Sequence, residues 1–223
     1  PSPSLTVVST QVDFLFQDRA GLNVRKVITQ GYPRLYIGYA NGIWYTPSGL
    51  YGLPLAANNF TLPLLVNFSY TEVTTGAADK AACIGILLRN DYQPLPGTFT
   101  NASVNPMMQI EVCLWWSSTL PRNGKLSTVT DGANTYELLS QTITSFNQLS
   151  SWNTYIFVAT NNTLSNMNLN VLVFSQFIHS SVTPLTNYYI TGIYFGFRIY
   201  TGRGSFTYSS VPQLALTNVA TGS

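Results

Sequence analysis

Residues 109–116 read QIEVCLWW, a run in which an extended backbone puts Glu111, Cys113 and Trp115 on one face and Val112, Leu114 and Trp116 on the other. β-Branched and aromatic side chains fit a pleated strand better than a helix. Runs of the same chemistry recur along the chain: LTVVSTQVDFLF (5–16), RLYIGYA (34–40), LPLLVNFSY (62–70), AACIGILL (81–88), TYELLSQTI (135–143), NTYIFVAT (153–160), YYITGIYFGFRIY (188–200) and FTYSSVPQLALT (206–217). Gly, Pro, Asn and Ser bound them, as expected for strands separated by turns. Only residues 168–179, around VLVFSQFI, have spacing compatible with a short helix, and another strand fits there as well. The pattern predicts an all-β chain, an antiparallel β-sandwich or jelly roll with an extended N-terminal strand. No linker or composition break divides it, so residues 21–223 form one domain preceded by a tail, residues 1–20. Long loops are expected at 90–106 and 121–134.

The chain has 223 residues, of which ten are Lys or Arg and eight Asp or Glu, for a net charge of +2. The charged fraction is 8 %, against about 25 % in an ordinary soluble domain, so Ser, Thr, Asn, Gln and Tyr must solvate most of the surface. A nucleic-acid partner needs clustered cations to displace counterions, and here they are scattered from Arg19 to Arg203. Few carboxylates and few cations also limit charge repulsion when acid protonates the carboxylates, which suits an acidic exterior. No apolar stretch reaches the roughly 18 residues of a membrane span, and no basic-then-apolar leader or long apolar pilin helix opens the chain.

Asn-x-Ser/Thr acceptors occur at Asn59, Asn67, Asn101 and Asn161, which together with the low charge favour export and N-linked glycans. Cys83 and Cys113 allow one disulfide, with two buried thiols as the alternative. His179 is the sole histidine and has no second ligand at metal spacing, so no metal or other cofactor is expected.

Residues 32–54, YPRLYIGYANGIWYTPSGLYGLP, resemble the tyrosine-proline, glycine and leucine-proline block of glycoside hydrolase family 12, and QIEVCLWW is similar to that family's nucleophile strand. LPRNG at 120–124 and YYITGIYFGFRIYTG at 188–202 continue the resemblance, which covers residues 30–216. It implies that Glu111 occupies the nucleophile position. A retaining glycosidase also needs a proton donor about 5 to 5.5 Å away, and where the family carries its acid the sequence reads Gly196, Phe197, Arg198. A guanidinium stays protonated and donates no proton at working pH. The helper carboxylate of the preceding strand is also replaced, by Ile84 or Gly85. Glu111 and Arg198 then read as a structural ion pair, Trp115 and Trp116 as packing, and the chain as a non-enzyme, with Glu137 as the remaining candidate acid.

Only about 30 residues precede Tyr32, with one clear strand and a weak second one at 22–29, so the sandwich is short of a strand. Residues 5–17 alternate, with Val8, Val12, Phe14 and Phe16 on one face, and form a strand able to complete a neighbour's sheet. Low charge, glycan acceptors, a donor-like tail and the absence of a pilin helix resemble the subunit of an archaeal extracellular thread of the acid-loving Sulfolobales. That resemblance implies a cell-surface filament of identical subunits joined head to tail by strand donation, serving adhesion or biofilm cohesion. The alternatives are a family 12-like β-glucanase with Glu111 as nucleophile and a non-catalytic carbohydrate-binding module.

Overall fold

A computed structural model of the chain describes residues 5–6, 11–16, 34–40, 43–44, 53–61, 63–69, 79–94, 97–100, 107–116, 124–144, 151–161, 166–207 and 213–218. The strands are β1 (Leu5–Thr6), β2 (Gln11–Phe16), β3 (Arg34–Ala40), β4 (Ile43–Trp44), β5 (Leu55–Ala56), β6 (Leu64–Ser69), β7 (Asp79–Arg89) and β8 (Tyr92–Gln93). They continue with β9 (Thr98–Phe99), β10 (Met108–Trp116), β11 (Lys125–Thr130), β12 (Thr135–Thr144), β13 (Ser151–Ala159), β14 (Asn166–Asn170), β15 (Tyr189–Thr207) and β16 (Gln213–Asn218), with one helix, α1 (Leu172–Ser181), before β15.

Ten strands form the large sheet, in the order β11-β12-β13-β10-β7-β15-β3-β4, with β2 and β5 also paired to β15. A smaller sheet runs β1-β16-β6-β14, and β8-β9 is a separate hairpin. The expected sandwich is present, with one departure from a fully antiparallel arrangement: β10 and β13 pair in parallel, Glu111 opposite Ile156. β15 is 19 residues long and meets its partners in succession: β5 near Tyr189, β3 from Gly192 to Gly196, and β2 from Gly202 to Thr207. Residues 11–16, assigned on sequence grounds to a neighbouring subunit, thus make their ladder within the chain. Val8 and the weak strand at 22–29 lie outside the described residues.

Alternation sorts the large sheet's side chains onto two faces. Ile84, Ile86, Leu88, Ile110, Val112, Phe157 and Ile193 point to the main core, where Leu64, Val66 and Leu169 of the small sheet meet them. Burying each such side chain contributes about 1.5–3 kcal/mol, so this face holds the layers together. Within residues 168–179 the helix prevails from Leu172 onward: Leu172, Phe174 and Ile178 fall on one side of α1 and are buried. Phe174 meets Tyr136 and Phe157 edge-on, with ring centroids 5.0 and 4.9 Å apart. Asn170 Oδ1 accepts from Leu172 N at 3.2 Å at the start of the helix. Pro184 closes off any continuation.

The expected loop at 121–134 instead contains β11, which pairs with β12 around a turn at 131–134. Asp131 Oδ1 accepts from the N–H groups of Ala133 and Asn134 at 2.9 and 2.7 Å, and Oδ2 from the Tyr136 hydroxyl at 2.8 Å. Burial alone would push the Asp131 carboxyl up, but these donors together hold it below its ordinary 3.8. Burial, reinforced by that carboxylate, pushes the Tyr136 phenol up.

Candidate active site

On its second face the large sheet carries Glu111 at the middle of β10, with Gly85 of β7 directly opposite and Ile156 of β13 on the other side. Gly85 leaves room for an aromatic ring. Tyr194 of β15 is its cross-strand partner, and a Cβ on residue 85 would fall inside the Tyr194 ring. With no side chain in the way, the ring crosses β7, and its hydroxyl hydrogen-bonds to Glu111 Oε1 from a strand two spacings away, about 9.6 Å. Gln109, two residues before Glu111 and so on the same face, donates from Nε2 to the same oxygen and, at 2.5 Å, to the Tyr194 hydroxyl.

The hydrogens of this network follow from its far end. Trp152 Nε1 lies 3.1 Å from Gln109 Oε1. An indole N–H only donates, so the Gln109 oxygen must face Trp152 and its NH₂ must face Glu111 and Tyr194. Glu111 Oε1 therefore accepts from two donors. Glu111 is 0 % exposed, and burying a carboxylate costs several kcal/mol unless such donors offset it. Thr154, opposite Gln109 on β13, has a buried hydroxyl with no hydrogen-bond partner among the described residues.

One step along the sheet, Cys83 and Cys113 face each other across β7 and β10 and are joined by a disulfide, with Cα atoms 4.0 Å apart. Their sulfurs and the Glu111 carboxylate lie within 4.8 Å of one another. Bonded to each other, the sulfurs offer no thiolates, so this trio does not fit a metal ion. Past the disulfide the register of β10 shifts between Cys113 and Trp115. That irregularity inverts the alternation expected from the sequence. Trp115 packs against the main core and Trp116 joins Cys83, Cys113 and Val158 on the second face. A bulge adds one residue to one strand, and every side chain beyond it changes face.

Three other carboxylates with described side chains are engaged elsewhere. Asp91 forms a bidentate pair with Arg89, both contacts at 2.8 Å, and Asp131 closes its turn. Glu137 stands opposite Val158, itself opposite Cys113, and so shares the face of Glu111. It pairs with Lys125 at 2.9 Å on the far side, two strand spacings from β10. Arg198 lies opposite Ala81 by backbone register, and its side chain, with the ion pair expected from it, lies outside the described part. His179 is half-buried against Phe60, its Nδ1 accepting from Leu185 N at 2.9 Å. Asn59 and Asn161 are exposed, Asn67 sits in β6 between Ala215 and Asn168, and Asn101 lies outside the described residues.

Sequence reasoning missed Tyr194, Gln109 and Trp152. One signal was present, since a glycine inside an apolar strand marks close approach by another group, and Gly85 is such a glycine.

No family model matches the sequence, and no curated protein does. Solved structures match throughout the chain. A native family 12 xyloglucanase from Bacillus licheniformis superposes with a TM-score of 0.69 at 18 % identity, over 97 % of this chain and 96 % of that one. A metagenome-derived family 12 endoglucanase gives 0.67 at 18 % identity, covering 92 % and 79 %, and an endoglucanase from Rhodothermus marinus 0.64 at 18 %, covering 86 % and 76 %. These neighbours are glycoside hydrolases, and they correct the expectation of a chain outside the enzymes; none of the three is a filament subunit. The chain has the β-sandwich jelly-roll fold of the family 12 glycoside hydrolases.

Proposed function

We propose that this protein hydrolyses a β-linked glucan outside the cell, with Glu111 as the carboxylate that meets the anomeric carbon. The observation that carries the reading is the environment of Glu111, which is central on its strand and hydrogen-bonded by Gln109 and Tyr194. The jelly-roll neighbours are xyloglucanases and endoglucanases, which supports the choice of substrate class. The disulfide supports an oxidising, extracellular location.

Glu111 is 0 % exposed, with the Tyr194 hydroxyl on its Oε1, so a sugar ring reaches it only after the groups over it move. Arg198 stays protonated and Glu137 is paired with Lys125, so among the described side chains no acid is positioned beside Glu111 to give a departing sugar alkoxide the help worth about 10²–10⁴-fold. A substrate whose leaving group needs no proton isolates the Glu111 step. A dinitrophenyl β-cellobioside is therefore expected to be cleaved much faster than β-glucan, and Glu111→Gln to lower that rate at least about 10⁴-fold, the scale seen when a nucleophile is removed. Equal rates for the parent and Glu111→Gln would overturn the reading. The filament reading rests on the uncharged composition and the N-terminal strand; β2 pairs within its own chain and the hydrolases share the fold, so the hydrolytic reading is preferred.

A further inference from the structure

Cys83 and Cys113 stand directly opposite each other on β7 and β10, and Glu111 comes two residues before Cys113 on the same face. The two sulfurs and a carboxylate oxygen of Glu111 all lie within 4.8 Å of one another. The trio is buried: Cys83 is 1 % exposed, Cys113 and Glu111 0 %. Ala81, Trp116, Leu139, Ile156 and Val158 pack around the cysteines. β7 and β10 are both interior strands, β7 laddered also to β15 and β10 also to β13, so each is held on its other side as well.

We infer that, once the disulfide is open, Cys83, Cys113 and Glu111 form a site for one divalent cation of the zinc class. Reduction breaks the S–S bond, and two electrons and two protons from a thiol or phosphine reductant leave one thiol on each cysteine. The cation then forms two metal–sulfur bonds and one metal–oxygen bond, and the two thiol protons pass to solvent. Two thiolates cancel the charge of a divalent cation, so taking the ion into the sheet adds no net charge where burying one is costly. A tetrahedral zinc places thiolate and carboxylate ligands about 3.6–3.8 Å apart, a spacing that side-chain rotation gives this trio when the sulfurs part. Thiolates select zinc or cobalt over calcium and magnesium, which take oxygen ligands. Three protein ligands leave the fourth position to water. The ion restores the link between β7 and β10 that reduction removes, and because it binds the folded pair of strands it stabilises the fold by mass action. The site stands whether or not Glu111 is catalytic.

The test is an anaerobic titration of the phosphine-reduced, desalted protein with Co²⁺, whose bonds to thiolate absorb in the near ultraviolet. The reduced parent is expected to saturate at a single equivalent with the visible bands of tetrahedral cobalt. Zn²⁺ should displace the cobalt and raise the melting temperature of the reduced protein, leaving that of the disulfide protein unchanged. Cys83→Ser or Cys113→Ser should remove the two-thiolate absorption. Glu111→Gln keeps both cysteines and is expected to weaken binding at least about tenfold, since even an outer-shell change costs about 10–100-fold in metal affinity; two thiols on an unfolded chain would not respond to that substitution. Thiolate absorption absent from the reduced parent, equal binding by the disulfide protein, or equal binding by reduced parent and reduced Glu111→Gln overturns the site. Any of these with cleavage of the dinitrophenyl cellobioside by the disulfide protein leaves the role proposed for Glu111 standing. Cobalt bound as expected in a protein without hydrolysis supports the site and overturns that role alone.

Discussion

Gly85 shows how a missing side chain organises this site. Any larger residue there collides with the Tyr194 ring and breaks the bridge from β15 to Glu111. Gly85→Ala is expected to destabilise the fold by about 2 kcal/mol, a fall of about 4–8 °C in melting temperature for a chain of this size. Combining it with Tyr194→Ala should return part of that loss, because the two residues contend for one space. A purely additive double variant in thermal unfolding would show that the ring does not lie across β7. Asp131 gives a prediction for acid. Its folded pKa is held below the ordinary 3.8, so the turn's contribution is complete above that value and is lost as pH falls through the lower folded pKa. Asp131→Asn keeps an acceptor oxygen but not the charge. Melting curves between neutral pH and strong acid should therefore show a shallower acid-side decline in the variant than in the parent.

At the scale of the element, the disulfide fastens β7 to β10 beside the carboxylate. The bond closes a loop with a sequence separation of 30, for which the chain-entropy account gives about 3.5 kcal/mol at room temperature. Reduction, or Cys83→Ser with Cys113→Ser, should lower stability by that order in urea titration. Among the cross-strand pairs of these two strands, Glu111 opposite Gly85 and Cys113 opposite Cys83 are successive positions on one face. Loss of the bond should therefore lower cleavage of the dinitrophenyl cellobioside as well, by loosening the strand that holds Glu111. An unchanged rate after complete reduction would show that β10 is positioned by its ladders alone. The irregularity after Cys113 acts at the same scale. It turns Trp116 toward the disulfide and Trp115 toward the main core, so both indoles are spent on packing.

In the whole molecule, β15 pairs with β7 on one side and with β5, β3 and β2 in turn, its last third lying against β2 from Gly202 to Thr207. Deleting residues 1–17 removes that partner and the β1 pairing to β16, leaving donors and acceptors of two strands open. The truncated protein is expected to melt lower and to aggregate, as exposed edges do. A truncated protein as stable as the parent would show that the N-terminal strand serves another chain. At the centre of the large sheet, buried Asp91 pairs with Arg89 and Glu111 Oε1 accepts from Gln109 and Tyr194.

Sequence alone determined the strand chemistry and the position of Glu111 on the face shared with Cys113, because period-two alternation is a local property of the backbone; it left residues 168–179 open between a short helix and a strand. It also singled out Arg198, and Ile84 or Gly85, as departures from a glycosidase pattern. Only the tertiary structure decided what surrounds Glu111. Tyr194 and Trp152 are 83 and 41 residues away along the chain, and strand order alone brings them to one carboxylate. The same is true of the Trp115 and Trp116 faces, since a bulge depends on how two strands register, and of β2, whose alternating pattern fits any open edge equally well. Alternation fixes which side of a strand a residue occupies; which strand lies beside it is fixed by long-range pairing, and the site is made at that level.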